Sequence, residues 1–335
     1  MNKYQATAAA LSLAATLTAF ADIKVNDNLM INGYAAASYE YQKTEGSKAT
    51  DSVFDGTKST PSADAVKTNF NFTYKPVTGT VSLYYIPNLP KNELSVLDAF
   101  VTYDAGGGFS VTGGKFLSYL GYEAFDTVNM TQITYGLVTI GTLGSIPAYH
   151  SGVRLDYGDK NVSYGLAVVD SVFSPNGFAK GDGELSHNAG FEAFVKYTAI
   201  PDVTLFGSVA YDGKGGFQTT QVTVWDFWAE YKLSKEATVA AEYCFKDGGD
   251  FSKGSTWLAY LNYAVTPKVS TVFRLSGESL SGKTKTVGSD ALQYTVGPSI
   301  AVTPNLSVRA EFSYWDLSGN AKDKTLWGLQ GVFKF

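Results

Sequence analysis

From residue 29 onward the chain reads as sixteen short segments in which apolar and polar residues alternate one by one, each bounded by turn residues. They fall near 29–41, 65–75, 80–87, 94–103, 109–116, 148–157, 162–170, 189–198, 203–211, 222–232, 237–246, 255–265, 269–276, 290–302, 306–314 and 326–335. A period of two puts successive side chains on opposite faces of a strand. Most segments have the about nine to eleven residues that a tilted strand needs to cross a bilayer. The chain is rich in strand formers, with 22 Tyr and 21 Phe, and only 10 Pro interrupt it.

The connections alternate in length. Short ones include Lys75-Pro76-Val77-Thr78-Gly79, Ile200-Pro201-Asp202, Thr266-Pro267-Lys268 and Thr303-Pro304-Asn305; long ones include 42–64, 117–147, 170–187 and 277–289. Membrane barrels have tight periplasmic turns and longer outer loops, whereas a soluble sandwich or propeller has no reason to keep two classes in alternation. The expected fold is all-β: a transmembrane antiparallel up-and-down barrel of about 16 strands. An extra hairpin inside 117–147 would make it 18.

Charge sorting gives a second test. The more apolar parity of each segment is read as lipid-facing, for example Val66, Phe70, Phe72, Tyr74; Tyr149, Val153, Leu155, Tyr157; and Trp225, Phe227, Ala229, Tyr231. Glu40, Lys67, Asp98, Arg154, Asp156, Glu192, Lys196, Asp226, Glu230, Lys232, Glu242, Arg274, Arg309 and Glu311 then all fall on the opposite parity. Lys115, at the end of a strand, is the main exception. A lipid-facing Lys or Arg near the midplane costs roughly 2–4 kcal/mol, which is a physical cause for this sorting. Outward tyrosines gather near strand ends, where interfacial girdles form.

The ends read as addresses. Lys3, the short apolar run to Ala19 and the Ala19-Phe20-Ala21 pattern describe a signal peptide over 1–21, leaving one barrel domain over 22–335. No plug domain precedes the first segment, which disfavours a gated active transporter. At the other end Trp327, Leu329, Gly331, Phe333 and Phe335 alternate with Gly328, Gln330, Val332 and Lys334. A final aromatic in that setting resembles the signal read by the barrel-assembly machinery, so Phe335 is the expected contact. Cys244 is alone, so no internal disulfide or multi-cysteine zinc site is available. The net charge of −5 argues against a nucleic-acid partner.

Gly114-Lys115-Phe116, Gly121-Tyr122-Glu123 and Pro147-Ala148-Tyr149-His150-Ser151-Gly152-Val153-Arg154 occur in that order. This run resembles the OmpL-like β-barrel porin family, in which a Gly-Lys-Phe strand end leads to a Gly-Tyr-Glu loop and then to an aromatic-His-x-Gly strand start. The resemblance implies a porin in the bacterial outer membrane and no catalytic residues or cofactor.

The longest connection, 117–147, is the candidate for a loop folded into the lumen, since long structureless segments are commonly functional. It carries Glu123 and Asp126 and no Lys or Arg. In a ring of sixteen strands the facing wall lies near strands thirteen to fifteen, which hold Arg274 and Arg309. Acidic loop residues opposite these arginines would set a transverse field in the pore. Arg154, Asp156 and Glu311 are the other wall candidates; the alternative is that each arginine pairs locally with a carboxylate such as Asp156 or Glu311. The apolar Ile133, Leu137, Val138, Ile140, Leu143 and Ile146 also fit a lid packed on the rim.

The expected function is passive diffusion of small hydrophilic solutes and ions, with a mild cation preference and a possible homotrimer in the lipid bilayer. The alternative is a surface barrel, an adhesin or receptor, whose lumen is filled by inward Tyr34, Tyr84, Phe100, Phe206, Trp228 and Tyr260. His150-Ser151 is the one tempting catalytic pair, but adjacent strand residues point to opposite faces. Asp247 and Asp250 could hold a calcium ion, though acidic loops are usually solvated.

Overall fold

The computed structural model describes residues 22–53, 65–85, 94–173, 189–213, 220–249, 252–284, 290–319 and 321–335. Residues 1–21, expected as a signal peptide, Asp250 and large parts of connections 42–64 and 170–187 lie outside these residues. The barrel strands are β1 (Leu29–Thr44), β2 (Ala65–Tyr74), β3 (Val77–Tyr85), β4 (Leu94–Gly106), β5 (Phe109–Leu117), β6 (Tyr149–Gly158), β7 (Val162–Val169) and β8 (Gly190–Tyr197). They continue as β9 (Val203–Asp212), β10 (Val222–Lys232), β11 (Ala237–Asp247), β12 (Lys253–Thr266), β13 (Val269–Leu280), β14 (Ala291–Ala301), β15 (Leu306–Leu317) and β16 (Lys324–Lys334).

Each strand pairs antiparallel with its neighbours in chain order, and β16 returns to β1, so the sheet has no free edge along its wall. The last residue locks this seam: Phe335 N–H donates to Gly33 O at 3.0 Å, and Gly33 N–H donates to Phe335 O at 2.7 Å. A side chain at position 33 would collide there, because its Cβ would lie 2.1 Å from the Lys67 carbonyl oxygen. Two short strands are added outside the ring of sixteen. Ile23–Lys24 pairs with the start of β1, and Thr50–Val53 pairs with its far end. The segment 117–147 forms no hairpin; it holds only a 3-10 turn at Thr127–Asn129 and one helical turn at Leu137–Ile140. The barrel therefore has sixteen strands, and the eighteen-strand alternative fails.

Alternation produces the two faces. Val153, Leu155, Trp225, Phe227, Tyr231, Trp327 and Leu329 are exposed on the outside, where lipid covers them. Glu40, Lys67, Glu192, Asp226, Glu242, Arg274, Arg309 and Glu311 are buried on the inside. Tyr149 departs from the expected parity. It is buried, and its hydroxyl lies 3.4 Å from Lys67 Nζ, an inward group. The reason is local: Tyr149 is the first residue of β6, directly after the long segment, and its ring meets Phe125 edge-on at 5.2 Å. The pairing of β3 with β4 slips between Val81 and Leu83, so Leu97 is buried inside next to half-buried Asp98.

Candidate functional site

Strand β5, which leads into the crossing segment, contains a glycine that the geometry requires. Gly114 has φ 131°, and a Cβ there would lie 2.2 Å from the Ala99 carbonyl oxygen. From Ser118 onward the chain crosses the interior and leaves backbone N–H groups that no secondary structure satisfies. Inward carboxylates of the wall receive them. Glu192 accepts Ser118 Oγ–H at 2.6 Å and Tyr119 N–H at 3.1 Å. Asp226 accepts Gly121 N–H at 2.8 Å, and its neighbour Glu242 accepts Tyr122 N–H at 2.8 Å. Glu311 accepts the N–H groups of Ile133 and Thr134 at 2.6 and 3.0 Å. Glu278 accepts those of Thr142 and Leu143 at 2.9 and 2.8 Å. Asp212 treats the next outer connection alike, taking Val172 and Phe173 N–H at 2.8 and 2.9 Å. Charge-assisted bonds of this kind are about twice as strong as neutral ones, and a buried N–H left without a partner is costly. The wall acids thus act as sockets for the crossing segment.

Cations complete the attachment. Arg274 Nη1 lies 2.6 Å from Glu123 Oε1, with both side chains buried, and it also donates to the Thr134 carbonyl at 2.6 Å. Arg309 Nη1 donates to the Thr127 carbonyl at 2.9 Å. Lys246 Nζ donates to the Leu143 carbonyl at 2.7 Å. Asp126 does not face the arginines. It meets Lys67 Nζ at 3.0 Å, which also holds Asp98 at 3.0 Å. Arg154 pairs locally, its Nε 3.3 Å from Asp156 Oδ2, and its guanidinium stacks over Phe116 at 4.8 Å. The sequence flagged Glu192, Asp226, Glu242 and Lys67 as inward from parity alone. Nothing in the sequence marked which N–H groups they would receive, and Glu278, Lys246 and Asp212 went unnoticed.

Aromatic rings fix the height of the crossing. Phe194, Phe206 and Trp228 stack across β8, β9 and β10, with centroids 5.7 and 4.8 Å apart. Tyr119 packs on one end of the stack at 4.5 Å and Tyr122 on the other at 5.4 Å. The Tyr119 hydroxyl donates to Asp156 at 2.7 Å and the Tyr122 hydroxyl to Glu230 at 2.9 Å. Burial, reinforced by the facing carboxylate, pushes both phenols far above their usual range, so both stay protonated donors.

Asp226, Glu242 and Cys244 bring one potential ligand atom each within 4.8 Å of one another. Their carboxylates are engaged with Gly121 and Tyr122, and the Cys244 thiol donates to Asp226 at 3.2 Å. His150 Nε2 is 3.5 Å from Glu192 Oε2, while Ser151 N–H donates to Asp170. Neither group shows the nucleophile–base contact that catalysis requires. Asp247 is 2.6 Å from Lys253.

The barrel is similar to several solved structures. An anion-selective porin from Comamonas acidovorans superposes with a TM-score of 0.68 at 11% identity, covering 92% of this chain and 99% of that one. Pseudomonas putida OprB gives 0.67 at 11% identity over 92% and 94% of the two chains. The outer-membrane channel DcaP of Acinetobacter baumannii gives 0.63 at 11% identity over 93% and 99%. At such identities the likeness establishes the fold. No curated protein sequence matches the chain. The family described as Putative beta-barrel porin-2, OmpL-like, matches residues 28–335, the whole barrel. The chain is a member of this family of outer-membrane porins.

Proposed function

We propose that the protein is a passive diffusion channel for small polar solutes and ions, narrowed at mid-depth by residues 117–147. The observation that carries this reading is the set of attachments running from Glu192 through Asp226, Glu242, Glu278 and Arg274 to Glu311, which holds that segment across the interior. Glu123 and Asp126 set the constriction, and Arg154, Asp156, Arg274, Arg309 and Glu311 belong to the pore wall. The sector β2–β4 presents neutral, half-buried Asn69, Asn71, Thr80 and Thr102 to the interior. Solutes follow this side, where amide and hydroxyl groups replace hydration without trapping charge.

Cleavage after Ala21, recognition of Phe335 by the assembly machinery and a trimer in the membrane belong to the same reading; mass spectrometry of the extracted chain, a Phe335 deletion and crosslinking test them in turn. A second reading, a barrel closed to solutes that acts through its outer connections, draws support from crowding: Tyr34, Tyr84, Leu97 and Leu258 are all buried inside. Single-channel recording in a planar bilayer decides between the two. Discrete, salt-dependent conductance steps support the channel, and a correctly folded barrel without steps supports the closed one.

A further inference from the structure

We propose that the periplasmic mouth of the barrel is a collecting site for small organic anions such as carboxylates. The proposal rests on the channel reading above and adds a substrate class to it.

Three lysines have inward parity at strand ends on the short-turn side. Lys196 is the penultimate residue of β8, Lys232 closes β10 and Lys334 closes β16. Their neighbours Tyr197, Tyr231 and Phe333 are exposed on the lipid side, which fixes the parity. The ion pairs found among the described residues include neither Lys196 nor Lys232.

The inward acids at the same depth are already engaged. Asp156 has Arg154 at 3.3 Å and the Tyr119 hydroxyl, Glu230 has the Tyr122 hydroxyl, and exposed Asp104, at the end of β4, accepts Gly106 N–H at 2.9 Å. Around the lysines the mouth is neutral and hydrogen-bonding, with half-buried Asn32, Asn71, Thr102 and Thr204. Deeper in, the wall turns acidic at Asp226, Glu242, Glu278 and Glu311. The charge is therefore ordered along the pore axis: negative and tied up in the middle, positive at the inner mouth, where Lys196 and Lys232 stand outside the ion pairs. An ammonium group is a strongly hydrated point charge that suits carboxylate oxygens, and the flanking hydroxyls and amides supply the remaining hydrogen bonds. A lysine about 10 Å from a singly charged solute in water changes its local concentration about twofold, so three change it about eightfold at low ionic strength. That advantage shrinks within a Debye length of about 3 Å in molar salt.

The test uses the full barrel, inserted in one orientation in a planar bilayer, with gluconate as blocker and glucose as its uncharged counterpart. In dilute KCl, gluconate added on the periplasmic side should reduce single-channel current at lower concentration than gluconate added outside, and glucose should show no such side preference. The combined variant K196Q/K232Q/K334Q should raise the periplasmic blocking concentration about eightfold in dilute salt, and molar KCl should erase the difference. If the triple variant assembles poorly, Lys232→Gln alone, at an exposed position, should give about a twofold shift. Equal block from both sides, or block unchanged in the variants, overturns the proposal while leaving the channel intact. A folded barrel with no conductance overturns the channel reading, and the anion site falls with it.

Discussion

Glu123 and Arg274 meet at 2.6 Å inside the barrel, although 151 residues separate them in the chain. Each also serves other groups: Glu123 accepts Gly136 N–H at 2.6 Å and Gln132 Nε2–H at 2.8 Å, while Arg274 reaches the Thr134 carbonyl. Removing one partner leaves the other charge buried without compensation, which typically costs 3–5 kcal/mol or about that order. Arg274→Ala is therefore expected to release the segment around 123–136, raise single-channel conductance and shift selectivity toward cations. Glu123→Ala should shift selectivity the other way. Reversal potentials under a salt gradient read both; identical potentials for the two variants would separate this pair from the pore.

The Lys67 junction is an independent attachment. Asp126→Asn keeps the shape but removes one of the two carboxylates on Lys67, leaving Asp98. The segment near 125–130 should then become cleavable by protease added to intact vesicles, while wild type resists. Equal resistance would show that the other attachments suffice.

Glu311 tests the socket idea. Its Oε2 accepts both Ile133 and Thr134 N–H, so Glu311→Gln, with one carbonyl oxygen and no charge, should weaken both bonds. Hydrogen exchange at Ile133 and Thr134 should rise at least about tenfold, the change expected for a loss of about 1.4 kcal/mol in local protection. The strand amides of β15 should keep their protection. Unchanged exchange at both loop amides would contradict the socket role.

The two faces of β6 predict opposite tolerance. Leu155 is exposed to lipid and Asp156 faces inward. Leu155→Arg should cost about 2–4 kcal/mol in bilayer folding. Asp156→Arg should fold, because its side chain stays out of hydrocarbon. Folding yields in lipid vesicles measure this, and equal yields would mean the faces are assigned wrongly.

The wall was legible in the sequence because a strand's two faces meet different solvents, and the cost of charge in lipid writes that difference into every second residue. Leu155 and Asp156 are one instance, and the strand limits of β10, 222–232, follow from it directly. Tyr149 shows where the rule stops: at a strand's first residue the pleat no longer dictates direction, and packing on Phe125 draws the ring inward. The interior attachments were less legible for another reason. Counting inward charges treats all as equal, yet Glu192, Asp226, Glu242 and Glu311 hold backbone N–H groups, while Lys196 and Lys232 remain open. Backbone donors carry no sequence signature, so the partner of an inward carboxylate depends on where a flexible crossing comes to rest.

The central claim is that residues 117–147 narrow the pore, and shortening that segment measures it most directly. Deleting part of 130–144 removes the contacts to Glu311 and Glu278 but none of the strand pairing that closes the ring. Single-channel conductance of the deletion variant, recorded beside wild type in the same salt, should rise severalfold while the barrel stays heat-stable. A conductance equal to wild type, in a barrel that remains heat-stable, would place the segment outside the solute path and contradict the account.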